Sequence, residues 1–600
     1  MFEIFCGFSG ETDQKLLGKM MHASMGKKIY KEEIFTENGI NIGAGYLIIS
    51  KLNKGDEVLY DNDGIHAVFS GEMYNFTELK LDLKKKGYEF SINSNAEMIA
   101  FLYREYGADF IVKINGAFAI ILWDNAQRKL FLFRDRLGEK NIYYLLRGKR
   151  IIFSSEMRII LEAPFYKKEI DFESLHHYFS FRSIPQPRSI FKDIQYVLPG
   201  ELLMFKDGIL KKKKYWNCTF GDRKNVDEKV LIPKMSDLFS TAIKDRICNE
   251  IQPKVLLSGG LDSSSIVATL SGLSKKALKT FHLNYGKKIN AKLADVVAAR
   301  KVAKLYKTDH QEYLMGPKEI MRNIKKSIEV FDEPLGVFVP FSFFANVVDG
   351  DGDVVFSGNG GDEVFGGYDY HRTVEGQSSD TELLQKYIFN FYDFNESEKQ
   401  EIYSDSLRRK MKNFNSIAIW KEYFQETTSR KYPDKIFEID IKNIVPEQTL
   451  YISREVGTHF SFQPRAPFLD YRLIELAASL KGEIKVKNNR NKHLLKELIK
   501  NCLPYDIINR PKDVFTLSAD QCLMDNMKKN IKDILAKERL EKHGFLNIEV
   551  VNELVRDYYT SGVKKEQPKL RNSAHLADKI FILMIFQLWW EHHFDENNLK

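Results

Sequence analysis

The chain has 600 residues, 44% hydrophobic and 29% charged, which is too long for one hydrophobic core and predicts about two to four domains. Its net charge of +8, from 90 basic and 82 acidic residues, is mild for this length and indicates no nucleic-acid partner. No apolar run is long enough to span a bilayer, and the N-terminus lacks the pattern of a signal peptide. With 5 widely spaced cysteines, the composition predicts a cytoplasmic protein with free thiols and no membrane partner.

Residues 1–220 are predicted to form a β-rich domain. Short apolar runs between Gly, Asn and Asp turns indicate strands: GYLIISKL, HAVFSGEMY, GAFAIILWD, KLFLFRDR and RIIFSSEM. Two further segments, NFTELKLDLKKKG and NAEMIAFLYREYG, are predicted helices that end in a glycine, as helices commonly do. A proline-punctuated connection and a closing hairpin then lead to a domain boundary near residues 220–228.

From residue 229 to residue 600 the pattern changes to alternating strands and helices. The segment KVLLSGGLDSSSIVATLSGL combines an apolar strand, a Gly-rich turn and a helix, and KTFHLNY, HQEYLM and DVVFSGNGGDE are further strand candidates. This alternation predicts an α/β domain with a doubly wound parallel sheet. After about residue 380 the chain is predicted to be almost entirely helical apart from loops.

The heptad SGGLDSS, residues 258–264, lies between the predicted strand and helix. Consecutive small residues let backbone N–H groups approach an anion, the helix N-terminus faces that anion, and serine hydroxyls add donors. The loop therefore suits a phosphate or pyrophosphate group. Asp262 would repel phosphate, so its presence indicates an intervening cation such as Mg²⁺. The alternative is a Gly-Ser turn that merely caps a helix.

A second Gly-rich segment, FSGNGGDEVFGGY, covers residues 356–368 and again follows a predicted strand. Asp362 and Glu363 lie on this turn, where their carboxylates can converge on a bound cation. Several glycines beside two acids make a poor core and a plausible ligand loop. A plain acidic surface turn is the alternative, and the neighbouring heptad makes it less attractive.

With RAPFLD at residues 465–470, these motifs resemble the synthetase domain of glutamine-dependent asparagine synthetases. That superfamily also includes β-lactam synthetases and lasso-peptide macrolactam cyclases. The resemblance implies ATP and Mg²⁺ as cofactors, adenylation of a carboxylate, and displacement of AMP by an amine. It implies catalytic roles for Asp362, Glu363 and Lys512, the last in NRPKDVF, and Mg²⁺ ligation by Asp262 and Asp362. It also implies nucleotide and pyrophosphate binding by Leu257, Ser258, Gly259, Gly260, Asp262, Ser263, Ser264 and Gly358.

One position departs from the asparagine synthetases, which usually carry Glu where this chain has Asn359. A carboxylate there can accept protons from incoming ammonia, whereas an amide cannot act as a base. β-Lactam synthetases also depart from Glu at this place, and their nucleophile is an amine within the substrate. Asn359 therefore favours a nucleophile other than ammonia.

The N-terminal region resembles the glutaminase domain of class II amidotransferases, which implies an α+β sandwich of the N-terminal-nucleophile type with αββα layers. GEMYNFTEL resembles the family's glutamine-binding turn, and the implied site comprises Cys6, Tyr46, Gly71, Asn75 and Asn95. In the family the cysteine is residue one after Met removal, and its free amine acts as the base. Here five residues precede Cys6. Tyr46 replaces the arginine that binds the glutamine carboxylate, and Asn95 replaces the aspartate that binds its ammonium. These departures predict a domain that does not hydrolyse glutamine, although an excised propeptide would restore the nucleophile.

Three functions follow from these observations. The first is a lasso-peptide macrolactam cyclase, which would join an Asp or Glu side chain of a precursor peptide to its N-terminal amine, or a related enzyme acting on a small carboxylate. A cyclase would work beside a leader-peptide-binding protein and a leader protease. The second is a glutamine-hydrolysing asparagine synthetase or related amidotransferase. The third is a non-catalytic scaffold, which the two Gly-rich loops disfavour. The sequence leaves the oligomeric state open.

Overall fold

The computed structural model describes residues 3–24, 29–46, 59–220, 227–247, 252–286, 293–350, 352–373, 379–388, 392–429, 431–511, 517–523, 527–560 and 573–595. Four cysteines within these ranges, Cys6, Cys218, Cys502 and Cys522, are free thiols. Across the same ranges, none of the helices combines the length and the apolar character that a membrane crossing needs.

The described part of the first 214 residues forms two antiparallel six-stranded sheets, in the orders β10-β8-β9-β1-β3-β2 and β12-β11-β7-β6-β5-β4. The strands are β1 (Glu3–Ser9), β2 (Lys31–Glu37), β3 (Ile40–Tyr46), β4 (Leu59–Asn62), β5 (Ile65–Met73), β6 (Gly116–Asp124), β7 (Lys129–Arg134), β8 (Tyr143–Arg147), β9 (Arg150–Ser154), β10 (Ile194–Tyr196), β11 (Glu201–Lys206) and β12 (Ile209–Lys214). The helices are α1 (Gln14–His22), α2 (Phe76–Lys85), α3 (Asn95–Tyr106), α4 (Met157–Leu161) and α5 (Phe172–Phe181), and Gly107–Lys113 is 3₁₀-helical.

The two sheets face each other across a buried apolar core. Phe5, Tyr46 and Phe153 of the first sheet share this core with Val68 and Ile121 of the second. Alternate residues of the same strands point outward, because side chains alternate along a strand. Helix α1 covers the outer face of the first sheet, and α3 covers that of the second. The predicted helices over α2 and α3 are confirmed, with Gly107 as the C-cap of α3.

The second domain contains a five-stranded sheet in the order β15-β14-β13-β16-β17, and its neighbouring strands are parallel. Its strands are β13 (Lys254–Leu256), β14 (Lys279–Asn284), β15 (Asp309–Leu314), β16 (Asp353–Phe356) and β17 (Phe462–Arg465). The prediction that the chain is almost entirely helical after about residue 380 is confirmed for the described residues, apart from the short strand β17. This strand is short and contains a proline, which an edge strand tolerates and which hides it from pattern analysis.

Many helices surround this sheet, and the last described one ends at Phe594. They are α6 (Glu228–Asp245), α7 (Leu261–Leu273), α8 (Leu293–Leu305), α9 (Pro317–Val330), α10 (Phe341–Val347), α11 (Gly361–Phe365), α12 (Asp369–Thr373), α13 (Asp380–Ile388), α14 (Glu396–Ile402), α15 (Asp405–Met411), α16 (Ile417–Glu426), α17 (Tyr432–Ile439), α18 (Leu450–Phe460), α19 (Tyr471–Ala478), α20 (Gly482–Lys485), α21 (His493–Ile499), α22 (Tyr505–Ile508), α23 (Ala519–Cys522), α24 (Lys528–Ile534), α25 (Lys537–His543), α26 (Ile548–Thr560) and α27 (Ser573–Phe594). A π-helical segment, Asp440–Thr449, joins α17 to α18.

Charged side chains connect the two domains around the RAPFLD segment. Arg465 forms an ion pair with Glu72 of the GEMYN turn. Asp470 pairs with Arg246 at 2.9 Å, and the Arg246 guanidinium lies 4.5 Å from the ring centroid of Tyr74. The two motifs that carry the family resemblance in separate domains therefore contact each other directly.

Candidate active site

The first Gly-rich loop links β13 to α7 at the carboxyl end of the parallel sheet. Gly259 has a φ of +80°, and a Cβ there would lie 2.5 Å from the carbonyl oxygen of Asp295, so the turn needs glycine for both conformation and space. The Ser258 and Ser263 hydroxyls lie 3.0 Å apart, and the Ser258 N–H donates to the Ser263 hydroxyl. The loop thus gathers hydroxyls and backbone donors at a helix N-terminus, which suits an anion.

The second Gly-rich loop, after β16, packs against the first because β13 and β16 are neighbouring parallel strands. A Cβ on Gly358 would lie 2.8 Å from the Asp262 Cβ, and one on Gly361 would lie 2.6 Å from the Asp262 Cγ. These glycines allow the two loops to touch. The carboxylates of Asp262 and Asp362 are therefore brought to one place from positions 100 residues apart in sequence.

Lys492 lies between the two aspartates and was missed by the sequence analysis. Its Nζ is 2.6 Å from Asp362 Oδ1 and also forms an ion pair with Asp262. Burial opposes the charge of Lys492, but the two carboxylates prevail and hold its pKa above the ordinary value. The signal in the sequence is the pair of aspartates itself, because two facing carboxylates need a neighbouring positive charge.

A strained turn fixes Lys492 in this position. Its φ of 57° is unusual for a residue other than glycine, and its N–H donates to the Gly366 carbonyl at 3.1 Å. Asn491 donates through Nδ2 to the Gly367 carbonyl at 2.9 Å. A Cβ on Gly367 would lie 1.7 Å from Asp362 Oδ1 and 2.4 Å from Lys492 Cε. Gly367 is therefore required for the approach of lysine to aspartate.

The arrangement fits the Mg²⁺ site that the sequence implies. Asp262 and Asp362 present oxygens to one shared cation position, which Lys492 marks. Mg²⁺ commonly takes one or two protein carboxylates and completes its shell with phosphate oxygens and water. Among the described residues there is no cluster of three or more His, Cys, Asp or Glu that could hold a metal ion.

Three other residues that the family resemblance implies do not contact the cluster of two aspartates and a lysine through their side chains in any hydrogen bond or ion pair given above. Glu363 is buried and accepts from the Tyr368 hydroxyl at 2.9 Å, and burial and the charge of Asp362 raise its pKa to about 7. It therefore belongs to a tyrosine network behind the loop. The Leu257 side chain is fully buried in the core, while its carbonyl accepts from His282. The Ser264 hydroxyl is buried and has no hydrogen-bond partner within the described ranges.

Lys512 lies outside the described residues. Its neighbour Arg510 donates to the Gly259 carbonyl at 3.2 Å and forms an ion pair with Asp295. The chain is therefore anchored on the first Gly-rich loop at Arg510, two residues before Lys512. The assignment of a charge-neutralising role to Lys512 stays a prediction.

In the N-terminal domain, Cys6 and Tyr46 lie on opposite faces of the first sheet. Cys6 is opposite Gly43 in the register, three residues from Tyr46, and side chains alternate along a strand. Cys6 is buried in the apolar cluster that contains Leu17 of α1, whereas Tyr46 is buried between the sheets. Burial raises the pKa of the Cys6 thiol far above its usual range. A mid-strand, protonated thiol is a poor nucleophile.

Other residues of the implied glutamine site have structural contacts. A Cβ on Gly71 would lie 2.1 Å from the Ala117 carbonyl oxygen. The Asn75 amide donates to the Lys113 carbonyl and accepts from the Asn115 N–H, both at 2.9 Å. Asn95 is the first residue of α3. The structural needs of the turn account for Gly71 and Asn75 without a bound glutamine.

A small cavity of about 40 Å³ at the domain interface adjoins the second Gly-rich loop and is partly open to solvent. Ser357 and Asn359 line it, with Arg454, Gln463 and Arg465. Arg454 Nη1, Gln463 Nε2 and Arg465 Nε are buried donors with no hydrogen-bond partner among the described residues. Such donors favour an anionic occupant.

Comparison with known proteins gives matches over both domains. The glutamine amidotransferase domain family matches residues 1–216, and the asparagine synthase family matches residues 234–591. Glutamine-hydrolyzing asparagine synthetase 1 of Bacillus subtilis is 26% identical over 97% of this chain and 96% of its own length. Putative glutamine-hydrolyzing asparagine synthetase 2 of Methanocaldococcus jannaschii is 32% identical over 61% of this chain and 76% of its own. Amidase chry2 of Gibberella zeae is 24% identical over 86% of each chain.

Proposed function

The chain belongs to the asparagine synthase family of ATP-dependent carbon–nitrogen ligases, and on that premise we propose that it adenylates a small carboxylic acid and transfers the acyl group to an amine. The observation that carries this proposal is the contact of Asp262, Asp362 and Lys492 between two Gly-rich loops at the edge of a parallel sheet. A scaffold protein would have no use for this buried charged cluster, which costs desolvation energy.

The reaction would run in two steps. An oxygen of the acid attacks the α-phosphorus of ATP, so that an acyl-adenylate forms and pyrophosphate leaves. The amine then attacks the acyl carbon, loses a proton and displaces AMP. Ser258, Gly260 and Ser263 would bind the pyrophosphate, and Asp262 and Asp362 would hold Mg²⁺. Bound Mg²⁺ supplies positive charge to the leaving group, where electrostatic stabilisation contributes most.

The interface cavity is the proposed site of the acid. Its buried donors on Arg454, Gln463 and Arg465 would bind a carboxylate, and its wall at Ser357 and Asn359 belongs to the loop that carries Asp362. The names of the relatives, asparagine synthetase and amidase, make L-aspartate the first acid to test.

We propose that the amine is ammonia from solution or an amine of the substrate itself. The position of Cys6 supports this, because its thiol is buried on the sheet face opposite Tyr46. Glu72 of the glutamine-binding turn is also engaged by Arg465 of the other domain. Although burial opposes its ionisation, this arginine holds the pKa of Glu72 below its ordinary range.

The macrolactam cyclase is a narrower form of the proposal. Asn359 supports it, because the amide donates to the Ser453 hydroxyl at 2.8 Å and offers no base to an incoming ammonia. An amine already within the substrate, such as a peptide N-terminus, would depend less on a protein base at this position. The relatives named above are asparagine synthetases and an amidase, so the cyclase rests on this single position.

The second candidate is a glutamine-hydrolysing amidotransferase. The full-length match to a glutamine-hydrolyzing asparagine synthetase and the amidotransferase match over residues 1–216 favour it. It requires that Cys6 gain a free amine and a different side-chain environment.

ATP–pyrophosphate exchange tests the proposal. Exchange should depend on Mg²⁺ and on an acid, with L-aspartate, succinate and acetate as the first panel and a peptide with an acidic side chain as the cyclase probe. Asp262→Asn should abolish it, while Asp349→Asn on the surface should leave it unchanged. Exchange that survives Asp262→Asn, or that is absent with every acid, would reject the adenylating site.

A further inference from the structure

The turn that holds Lys492 against the aspartates is connected to a buried histidine outside the loop motifs. Its residues, 366–368, follow α11, and the Gly366 and Gly367 N–H groups both donate to the Asp362 carbonyl at 2.9 Å. On its other side, the Tyr368 N–H donates to His371 Nδ1 at 3.2 Å. His371 is 1% exposed. The turn is therefore pinned between the metal-binding aspartate and an imidazole ring in α12.

Asp440 determines which nitrogen of His371 carries the proton. His371 Nε2 lies 2.7 Å from Asp440 Oδ2, and Asp440 also accepts from the Tyr370 hydroxyl at 3.0 Å and from the Tyr387 hydroxyl. A carboxylate that faces three donors acts as an acceptor, so Nε2 carries the hydrogen. Nδ1 is then free to accept from Tyr368, as the geometry requires.

The ring plane of His371 is fixed as well. The Phe437 ring stacks on it with centroids 4.5 Å apart and an interplanar angle of 25°. The same phenyl ring would lie 3.1 Å from a Cβ on Gly366. Asp440 itself opens the π-helical segment Asp440–Thr449, and such segments occur often at functional sites. One packed unit thus joins the π-helical segment, His371 and the glycine turn.

We propose that His371, held by Asp440 in its Nε2–H form, is a positioning residue for Asp362 and Lys492. This inference rests on the proposed adenylating function and extends it to a residue that does not touch substrate. Without the imidazole acceptor, the Tyr368 N–H is released and the turn can move away from Lys492. A shift of about 1 Å at such a site can cost about 100-fold in rate.

The test pairs His371→Phe with Tyr387→Phe. His371→Phe keeps the ring stack on Phe437 and removes the hydrogen bonds of His371 to the Tyr368 N–H and to Asp440. Tyr387→Phe removes one of the hydrogen bonds that Asp440 accepts and leaves the contact between His371 and the turn in place. We expect His371→Phe to lower kcat for ATP–pyrophosphate exchange by about 10- to 100-fold, with KM for ATP changed less than about threefold. We expect Tyr387→Phe to lose thermal stability to a similar degree and to keep kcat within about twofold. Equal losses of kcat in both variants, or wild-type kcat in His371→Phe, would overturn the proposal.

A second measurement does not depend on activity. Hydrogen–deuterium exchange of peptides that cover residues 361–371 and 488–495 reports the backbone bonds of the turn and of Lys492. Faster exchange in both peptides of His371→Phe, but not of Tyr387→Phe, is expected. Unchanged hydrogen–deuterium exchange in His371→Phe would overturn the positioning role, even if the wild-type protein shows no adenylating activity. Lack of adenylating activity in the wild-type protein alone would reject only the proposed function.

Discussion

The two domains of this chain both carry enzyme motifs, but only in one of them do the motif side chains meet at one place. In the synthetase domain, residues from distant segments meet at hydrogen-bonding distance, with Lys492 between Asp262 and Asp362. In the amidotransferase domain, Cys6 and Tyr46 belong to different cores. A motif therefore indicates a function only when the fold also directs its side chains to one place, and the four predictions below test that contrast.

The largest effect is expected from Lys492→Met. The substitution leaves two carboxylates facing each other without their cation, and it removes positive charge from the site of the leaving pyrophosphate. ATP–pyrophosphate exchange should fall about 100- to 1,000-fold. Lys492 precedes α21 as its N-cap, and Lys500→Met, at the exposed C-cap of the same helix, is the matched control. Wild-type ATP–pyrophosphate exchange in Lys492→Met would contradict the role of Lys492 in the proposed site.

Gly367→Ala should have the next largest effect. The new methyl group would overlap Asp362 Oδ1, 1.7 Å away, and Lys492 Cε, 2.4 Å away, so that the lysine must move. We expect about a 100-fold loss of exchange in a protein that still folds. Gly272→Ala has open space around its Cβ and should retain full activity. If both alanine variants behave alike, the close approach of Lys492 is not needed.

Glu72→Gln tests the use of the GEMYN turn as a domain contact. Its carboxylate neutralises Arg465, whose side chain is only 7% exposed, so that the amide would leave a buried guanidinium without its counter-charge. The melting temperature should fall by about 3 °C, and KM for the acid in ATP–pyrophosphate exchange should change as well, because Glu72 and Arg465 both line the proposed acid site. Glu78→Gln, on the exposed side of α2, should change neither. An unchanged melting temperature in Glu72→Gln would contradict the domain-contact role.

Cys6→Ala should have the smallest effect. If the thiol only fills space beside α1, amide formation from ammonium should remain within about twofold of wild type, measured as AMP release. Loss of product with glutamine as the nitrogen source, restored by ammonium, would instead show that Cys6 hydrolyses glutamine.

The sequence predicted the α/β order of the second domain and singled out Asp262 and Asp362 as residues of two ligand loops. Both predictions were possible because a glycine-rich turn after an apolar strand is a local signal. It missed Lys492, which comes from a segment 130 residues beyond Asp362 and is joined to it only by packing. It also missed β17, whose four residues, FQPR, have no strand periodicity. The opposite faces of Cys6 and Tyr46 depend on strand register, which the sequence does not reveal.

The most direct test of the contrast is the nitrogen source of the wild-type enzyme. The protein would be incubated with ATP, Mg²⁺, an acid that supports exchange, glutamine labelled with ¹⁵N in its amide, and unlabelled ammonium. We predict pyrophosphate release, an unlabelled amide product and no glutamate. A ¹⁵N-labelled amide formed with an equal amount of glutamate would contradict the account, because it would place an active glutaminase in the domain that carries Cys6.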